Sequence, residues 1–308
     1  MKALKRKGVI KLTKKSEVLN IQGKEVYLTN LTKIIWPQKK LTKFHLIKYL
    51  LDIYPYISPH LKDRPLVMTR YPDGINNKGF YQKDISKIGN LPDWLTTVDL
   101  SSGDETIRYV IVDHPATLVW LGNLAAIELH PWLSRINNLE KPDYVVFDLD
   151  PMPDAEFSKV KRLAFEFKKL IEQYSQKGYL KLTGSSGLQI FVPLQPKYTY
   201  SQVREYAKSI SEEIVRENFK IATIERSVRK RDSKKVYLDY LQNVKGKTIS
   251  TIYGPRANSG AFVSAPVTWD ELEKNVATSK TYDLFSVVDR VKQFGDLFES
   301  VLNEKYSL

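Results

Sequence analysis

The order of apolar and polar residues along the chain predicts short strands that alternate with amphipathic helices. Alternating or continuous apolar runs are typical of strands, and apolar residues at helical spacing are typical of helices. The predicted strands are 24–28, 66–71, 79–83, 144–150, 179–183, 188–193 and 236–241. The predicted helices are 42–54, 113–124, 156–173, 201–216 and a helical region over 268–301. This alternation indicates an α/β or α+β fold with helices packed on sheet faces.

Prolines and a break in the pattern suggest how these elements are divided. Pro55 and Pro59 are predicted to end the first helix, because proline lacks the N–H that a helix interior needs. Residues 125–129 fit either a helix end or a strand. The best candidate boundary lies near 139–142. The resulting parts are a loose basic leader at 1–20, an N-terminal α/β module at 21–140, and a module at 141–308 that ends in the C-terminal helices.

The strand predicted at 144–150 ends in two acids, Asp148 and Asp150. Strand residues two apart face the same side, so the two carboxylates repel each other unless a cation lies between them. Carboxylate oxygens suit hard divalent ions such as Mg²⁺ or Mn²⁺. Haloacid-dehalogenase phosphatases, glycosyltransferases and two-metal nucleotidyl transferases all use this spacing. Solvated acids without a metal are also common where a strand ends in a turn.

Two further segments extend this candidate site. Asp239, near the end of the strand at 236–241, either completes a group of three carboxylates that holds two divalent ions or is an ordinary strand-end acid. The turn at 183–187 reads Thr-Gly-Ser-Ser-Gly. Its glycines and hydroxyls would let backbone N–H groups approach phosphate oxygens, although such turns also occur in ordinary hairpins.

Other polar and aromatic positions are candidate nucleic-acid or phosphate contacts. The segment 80–83 (Phe-Tyr-Gln-Lys) combines rings that stack on nucleobases, if exposed, with a base for phosphate. Strand aromatics are, however, more often part of the core. His130 and Arg135 flank a Pro-Trp pair, and Arg256 lies in a loop where it could contact a triphosphate.

Composition excludes several classes of protein. The 308 residues are 42% hydrophobic, as in a folded globular protein, and no apolar run is long enough for a membrane span. The basic N-terminus has no apolar stretch behind it, so it does not predict a signal peptide. The chain has no cysteine, which excludes disulfides, thiolate zinc sites and cysteine nucleophiles. A cytoplasmic location is therefore expected.

The positive charge is concentrated in two places. The net charge is +13, and residues 1–50 hold thirteen Lys or Arg against two acids. A second basic cluster lies in 226–235. Localised positive charge suits a polyanion such as DNA or RNA, although it also suits a solvated surface.

Taken in order, these segments resemble the polymerase domain of bacterial ligase D, a member of the archaeo-eukaryotic primase superfamily that acts in nonhomologous end joining. The resemblance spans roughly residues 22–275. The matching stretches are 28–33 with Trp36-Pro37, 64–65 with 70–74, 80–83, 128–132, 147–151, 184–188, 239–243, and 263–264 with Pro266.

The resemblance implies roles for individual residues. The metal-binding catalytic acids are expected to be Asp148, Asp150 and Asp239. The residues expected to bind the incoming nucleotide are His130, Thr183, Ser185, Gln189 and Arg256. The residues expected to bind DNA are Lys33 and Lys43 at a 5′-phosphate, Phe80 and Tyr81 at template bases, and Arg70 and Lys83.

The resemblance also implies a fold, cofactors and partners. The expected fold is α+β and archaeo-eukaryotic primase-like, with an RRM-like catalytic sheet packed with helices. Two Mn²⁺ or Mg²⁺ ions, nucleoside triphosphates and DNA ends or gaps with a 5′-phosphate are expected at the site. Ku and a DNA ligase are the expected partners, the latter in trans or in a part outside this sequence, since no Lys-x-Asp-Gly motif is present. The expected location is the cytoplasm, in association with the nucleoid.

Two departures from the family pattern leave an alternative open. A phosphate-binding lysine is replaced by Ser186, and a motif histidine by Gln189, so two cationic groups are lost near the triphosphate. Each loss is expected to weaken triphosphate binding by roughly 1–3 kcal/mol. The alternative is therefore a DNA-end-binding repair factor with weak or no polymerase activity.

Overall fold

The structure, a computed structural model, describes residues 16–308. The strands are β1 Ser16–Ile21, β2 Lys24–Thr29, β3 Ile34–Trp36, β4 Leu41–Thr42, β5 Leu66–Arg70, β6 Phe80–Gln82, β7 Thr97–Ser102, β8 Glu105–Val110, β9 Ala126–Pro131, β10 Tyr144–Pro151, β11 Tyr179–Leu182, β12 Leu188–Pro193, β13 Ala222–Thr223, β14 Val236–Leu238, β15 Gly254–Pro255, β16 Val263–Ser264 and β17 Pro266–Val267. The helices are α1 Lys43–Leu61, α2 Pro115–Asn123, α3 Phe157–Gln173, α4 Tyr200–Glu217, α5 Trp269–Glu273, α6 Ser286–Phe294 and α7 Glu299–Asn303.

A six-stranded sheet in the order β13-β14-β10-β12-β11-β17 forms the larger layer of the C-terminal half. Four of its strands and two helices follow each other as β10-α3-β11-β12-α4-β14, with β10 between β12 and β14. This βαββαβ order is the RRM-like arrangement expected from the sequence. All pairs within the four strands are antiparallel.

The two faces of β10 have different environments because its side chains alternate. Val145, Phe147 and Leu149 face α3 and α4 and belong to the core beneath the sheet. Tyr144 and Val146 face the opposite way and join the second core of the molecule. Asp148 and Asp150 continue that second face beyond the point where the apolar core ends, so the strand itself carries the acids into an opening between the layers.

The second sheet contains β6-β5-β8-β7, and β9 also pairs with β5. Helices α1 and α2 pack against it through side chains such as Ile53 and Leu121, in the same core as Val263, Val288 and Phe298 from the C-terminal segment. The chain thus returns to its N-terminal half after completing the RRM-like sheet. The boundary proposed near residue 140 lies between β9 and β10 and stays a prediction.

The prediction that prolines end the first helix is wrong. Helix α1 runs through both Pro55 and Pro59 to Leu61. Both prolines are on the exposed face, whereas Ile53 and Ile57 are fully buried. Burial of these large side chains, worth roughly 1.5–3 kcal/mol each, offsets the backbone hydrogen bonds that the prolines remove.

Other predicted boundaries also change. Residues 126–131 form a strand, which settles the ambiguous segment, and the C-terminal helical region is three separate helices. The hairpin β7–β8 was not predicted, although Gly103 at its turn adopts a positive φ of 62°. Most of the predicted leader at 1–20 lies outside the described residues, but residues 16–20 belong to β1 instead of a loose chain. No helix in the described part of the chain is long and apolar enough to cross a membrane.

Candidate active site

A polar cleft opens between the two sheets on the face of β10 opposite α3 and α4. Most of the predicted acids and nucleotide-binding residues line it. The residues around the cleft are His130, Asp148, Asp150, Thr183, Ser185, Ser186, Gln189, Gln242, Thr248, Ile249, Ser250 and Arg256. The fold therefore brings together predicted residues that are up to 126 positions apart in the chain.

Strand register places the three acids near each other, two on the interior strand β10 and one directly after the neighbouring strand β14. Asp148 lies opposite Gln189 of β12, and Asp150 lies opposite Tyr237 of β14. Asp239 directly follows β14, and its backbone N–H donates to the backbone carbonyl of Asp148 at 2.9 Å. The main chain thus fixes all three acids relative to each other.

The acids at the floor of the cleft are difficult to ionise. Burial raises the pKa of Asp148 well above its usual value, and the charges of Asp150 and Asp239 raise it further. Burial and Asp239 likewise raise the pKa of Asp150, although Arg231 and Arg256 lower it. Negative charge at this point therefore requires a compensating cation.

The buried oxygens of Asp148 fit a cation. Its Oδ1 is buried and has no hydrogen-bond partner among the described residues, which is unusual for a buried carboxylate. A divalent cation would both satisfy that oxygen and relieve the repulsion between the acids. The chemistry of the acid pair thus agrees with the metal predicted from the sequence.

Asp239 is held differently from the other two acids. Its Oδ1 accepts hydrogen bonds from the backbone N–H of Leu241 and from the hydroxyl of Tyr237, both at 3.1 Å. Within residues 16–308, no three His, Asp or Glu side chains are already grouped to hold a metal ion. Joint metal binding by all three acids therefore requires the Asp239 carboxylate to adjust.

The turn between β11 and β12 presents hydroxyl groups to the cleft. The Thr183 hydroxyl accepts from the backbone N–H groups of Ser185 at 3.2 Å and Gly187 at 3.0 Å. These two N–H groups are therefore already engaged, contrary to the expectation that the turn's backbone is open to phosphate. The hydroxyl groups of Ser185 and Ser186 remain at the cleft.

Arg256 links the two sheets across the cleft. Its Nε donates to Glu128 Oε1 at 3.0 Å, and its guanidinium also donates to the carbonyl of Thr183 at 3.3 Å. Arg256, the His130 hydrogen bond and the backbone N–H of Ala257 lower the pKa of Glu128 to about 2, against the effect of burial. Glu128 thereby positions both predicted nucleotide contacts, Arg256 and His130.

Sequence reasoning missed a buried cation behind the acids. Lys181 of β11 is fully buried and donates to the carbonyl of Ser250 at 3.0 Å and to the hydroxyl of Ser264 at 2.6 Å. Burial and nearby Arg256 lower its pKa to about 7, whereas Asp148 raises it. The available signal was a lone lysine inside an apolar strand, two residues before Thr183.

The predicted DNA-binding aromatics lie beside the cleft. The Phe80 and Tyr81 side chains are 44% and 58% exposed, which is a larger fraction than core aromatics show. The Tyr81 hydroxyl contacts the Thr248 hydroxyl at 3.0 Å, so this ring reaches the cleft wall. Arg70 lies 5.1 Å from the Phe80 ring centre, and Lys83 is exposed.

Lys33 and Lys43, the predicted 5′-phosphate contacts, are adjacent. The N–H of Lys43 donates to the carbonyl of Lys33 at 2.8 Å, and the Lys33 amine pairs with Asp73 at 2.7 Å. Lys43 is nearly buried, and its amine donates to Asn123 at 3.0 and 3.1 Å. Burial, with a smaller effect from Lys33, lowers the pKa of Lys43 to about 8.

Arg135 lies outside the cleft, so its predicted contact with phosphate is wrong. Its Nε pairs with Asp143 at 2.8 Å, and its guanidinium also donates to the carbonyl of Lys62 at 2.6 Å. Asp143 is shared with the buried Arg64 at 2.5 Å. Arg135 therefore stabilises the junction before β10.

Comparisons with known proteins show the family to which the chain is similar. The family model described as LigD, primase-polymerase domain, matches residues 42–298. The bifunctional non-homologous end joining protein LigD of Bacillus subtilis is 33% identical over 272 residues, which cover 88% of this chain and 43% of that protein. The multifunctional LigD of Mycolicibacterium smegmatis is 29% identical over 276 residues, which cover 88% of this chain and 35% of that protein.

A solved structure supports the fold. The polymerase domain from Mycobacterium tuberculosis ligase D, solved in complex with DNA, superposes with a TM-score of 0.83 at 24% identity, covering 91% of this chain and 99% of that one. This likeness confirms the α+β, primase-like fold. The chain spans less than half the length of the curated relatives named above. It belongs to the LigD primase-polymerase domain family.

Proposed function

We propose that the chain is a primase-polymerase that adds ribo- or deoxyribonucleotides to 3′-hydroxyl ends at DNA breaks and gaps during end joining. The observation that carries the proposal is the Asp148/Asp150 pair at the floor of the cleft, where Asp148 is buried with one carboxylate oxygen unpartnered. Family membership supports the same chemistry.

The acids would hold two divalent ions, either Mn²⁺ or Mg²⁺. Such ions, when bound, lower the pKa of an attacking hydroxyl and neutralise charge on the triphosphate and its leaving pyrophosphate. Asp148 and Asp150 contribute oxygens from β10, and Asp239 contributes from the neighbouring strand end. The Lys181 amine, fully buried behind them, partly compensates the acids' charge.

The nucleotide would lie between the two sheets. Arg256 and His130 would face its phosphates from one side, held by Glu128. The hydroxyl of Ser185 would face them from the β11–β12 turn, which Thr183 holds in shape. Gln189 can donate to Asp148 and to a phosphate but carries no charge. Weak triphosphate affinity is therefore expected.

The DNA would extend from the cleft over the exposed aromatics. Phe80 and Tyr81 would contact template bases, and Arg70 and Lys83 would support the backbone. Lys33 and Lys43 would bind a 5′-phosphate. A structural neighbour was solved in complex with DNA, which supports DNA as the ligand. Ku, a DNA ligase and a place at the nucleoid are proposed from the end-joining names of the relatives.

The direct test is primer extension on a gapped duplex with a downstream 5′-phosphate. Reactions would compare Mn²⁺ with Mg²⁺ and ribo- with deoxyribonucleoside triphosphates, using wild type and Asp239→Asn. We expect extension by the wild type and a loss of at least about 100-fold in Asp239→Asn. Unchanged extension by the variant would remove Asp239 from the proposed site.

A second candidate is a DNA-end-binding factor without catalysis. The observation in its favour is that Tyr237 and Leu241 already donate hydrogen bonds to a carboxylate oxygen of Asp239. This candidate predicts tight binding of the gapped duplex together with no extension under either metal. Extension by the wild type above a reaction without metal would exclude it.

A further inference from the structure

A crevice apart from the active-site cleft is large enough for a nucleoside. It measures about 520 Å³ and lies between β2, the loop at 88–94 and the C-terminal end of α2. Small-molecule sites have volumes of roughly 300–1,000 Å³. The side chains that matter for recognition are Tyr27, Trp94, Trp120 and Asn123. Three of these four are aromatic, which suits a flat ring.

Contacts hold the Trp94 ring and the backbone of Tyr27 in place around this crevice. The indole N–H of Trp94 donates to the carbonyl of Glu25 at 3.1 Å. The amine of Lys24 donates to the carbonyl of Trp94 at 3.3 Å and lies 5.4 Å from its ring centre. Tyr27 is 68% exposed, yet its backbone carbonyl accepts from Asn123 at 3.0 Å. An exposed ring on a rigid strand offers a stacking surface at little entropic cost.

The crevice adjoins the lysines proposed to bind the 5′-phosphate. Asn123, at the floor of the crevice, accepts hydrogen bonds from the Lys43 amine through both its side-chain and backbone oxygens. On its other side, the carbonyl of Leu124 accepts from Arg70 at 3.0 Å, and Arg70 lies against Phe80. A chain of direct contacts therefore runs from the lysines through the crevice to the proposed template aromatics.

Charge around the crevice distinguishes a base from a phosphate. Glu25 and Asp93 line it. These carboxylates repel a phosphate inside the crevice but do not repel an uncharged base. Lys43, a proposed phosphate ligand, contacts Asn123 of the crevice, and its backbone N–H donates to the carbonyl of Lys33. A nucleotide that binds here therefore places its phosphate at the lysines and its base in the crevice.

We infer that this crevice binds the nucleobase of the 5′-terminal nucleotide at a DNA end, unpaired from its template; the inference rests on the proposed function. A paired base cannot enter, so the substrate class is an end or gap whose 5′-terminal base is unpaired. The Asn123 side chain is already engaged by Tyr27, Thr29 and Lys43. Binding therefore depends on stacking and does not select one base.

The test measures DNA binding by fluorescence anisotropy with the whole chain. The gapped duplexes carry, at the downstream 5′ end, an unpaired nucleotide or an abasic residue, each with a 5′-phosphate or a 5′-hydroxyl. Stacking of one base is worth roughly 1–3 kcal/mol, so wild type is expected to bind the base-bearing end about 5- to 150-fold more tightly than the abasic end.

Variants of Tyr27 assign this preference to the crevice. Tyr27→Ala should lose most of the preference for a base while keeping the preference for a 5′-phosphate, and Tyr27→Phe should retain both. Tyr174→Ala, which removes a 52% exposed ring at the end of α3, is the matched control and should behave as wild type. 2-Aminopurine at the 5′ terminus should lose fluorescence on binding to wild type but not to Tyr27→Ala.

Three outcomes overturn the inference in distinguishable ways. Equal binding of base-bearing and abasic ends, with the 5′-phosphate still preferred, overturns the crevice alone and leaves the proposed function intact. No discrimination between 5′-phosphate and 5′-hydroxyl ends overturns the proposed phosphate site and the crevice with it. Equal weakening of Tyr27→Ala on all four duplexes also contradicts a base-specific role.

Discussion

At the scale of single residues, the site combines two acids that are hard to ionise with a buried lysine whose pKa is lowered. The pKa of Asp148 is raised by burial and by the neighbouring acids, and the pKa of buried Lys181 is lowered to about 7. Such opposed shifts are typical of functional sites, because a structural core would avoid both groups. These groups therefore lower the free energy of unfolding, and binding of a divalent cation can offset that loss.

Removing the charge of Asp148 should stabilise the protein. Because its folded pKa is raised, ionised Asp148 destabilises the fold at neutral pH, and the cost disappears as pH falls toward the ordinary value of 3.8. Asp148→Asn should raise the free energy of unfolding at pH 7 by about 1–3 kcal/mol, measured by urea denaturation. Asp154→Asn, at an exposed turn, is the control. A less stable Asp148→Asn would contradict the buried, repelled carboxylate.

Removing the charge of Glu128 should have the opposite effect and lower the free energy of unfolding. Its folded pKa is lowered to about 2, so its stabilisation is present above the ordinary value of 4.5 and is lost as pH falls through about 2. Glu128→Gln should therefore lower stability by about 1–3 kcal/mol at pH 7, and its difference from wild type should shrink between about pH 4.5 and 2. Exposed Glu105→Gln is the control. A difference that does not change with pH would mean that the Arg256 pair is not its origin.

The sequence predicted that Asp148 and Asp150 share one face of a strand, but it did not predict the residues that support them. Asp148 and Asp150 could be predicted from the sequence because strand alternation alone determines that they share a face. Lys181 and Glu128 were not recognised, since their roles depend on contacts with Ser250, Ser264 and Arg256 from distant parts of the chain. Patterns of two or three residues do not encode such contacts.

At the scale of elements, packing determined what local propensity did not. Three of the four RRM-like strands were predicted to within one residue, because each is a clear apolar run, whereas β14 ends at Leu238, three residues before its predicted end. The length of α1 was wrong, because its two exposed prolines oppose a helix while its buried face requires one. The short strands β15 to β17 and the hairpin β7–β8 carried too little pattern to predict.

Replacing a proline inside α1 should therefore stabilise the protein. Pro55→Ala restores an N–H inside the helix and should raise the free energy of unfolding by about 1–2 kcal/mol, after loss of the proline's restriction of the unfolded chain. Thermal or urea unfolding measures the change. Pro153→Ala, at an exposed turn, tests a proline outside any helix and should give no gain. Equal effects of the two substitutions would show that α1 tolerates Pro55 without cost.

At the scale of the whole molecule, the two sheets together line the proposed binding surface. The active-site cleft lies between them, Arg256 bridges them, and the exposed aromatics lead toward the N-terminal lysines. The thirteen basic residues in the first fifty positions belong to the same half of the chain as these lysines. This distribution favours a DNA end held by the N-terminal half while its 3′-hydroxyl lies at the acids.

Loss of the exposed lysine should weaken binding of phosphorylated ends selectively. Lys33→Ala is expected to reduce the preference for a 5′-phosphate about 5- to 10-fold and to make binding less steeply dependent on salt. Anisotropy at several salt concentrations measures both effects. Lys177→Ala, an exposed lysine before β11, is the control. An unchanged phosphate preference in Lys33→Ala would remove Lys33 from the proposed phosphate site.

The central claim is that the acids of β10 perform metal-dependent nucleotidyl transfer, and single-turnover primer extension tests it most directly. Wild type, Asp148→Asn and Asp154→Asn would each be mixed with the gapped duplex and Mn²⁺, and the rate of extension would be measured. We expect Asp154→Asn to match wild type and Asp148→Asn to be slower by at least about 100-fold, although it is folded and more stable. Extension by Asp148→Asn at the wild-type rate would contradict the account.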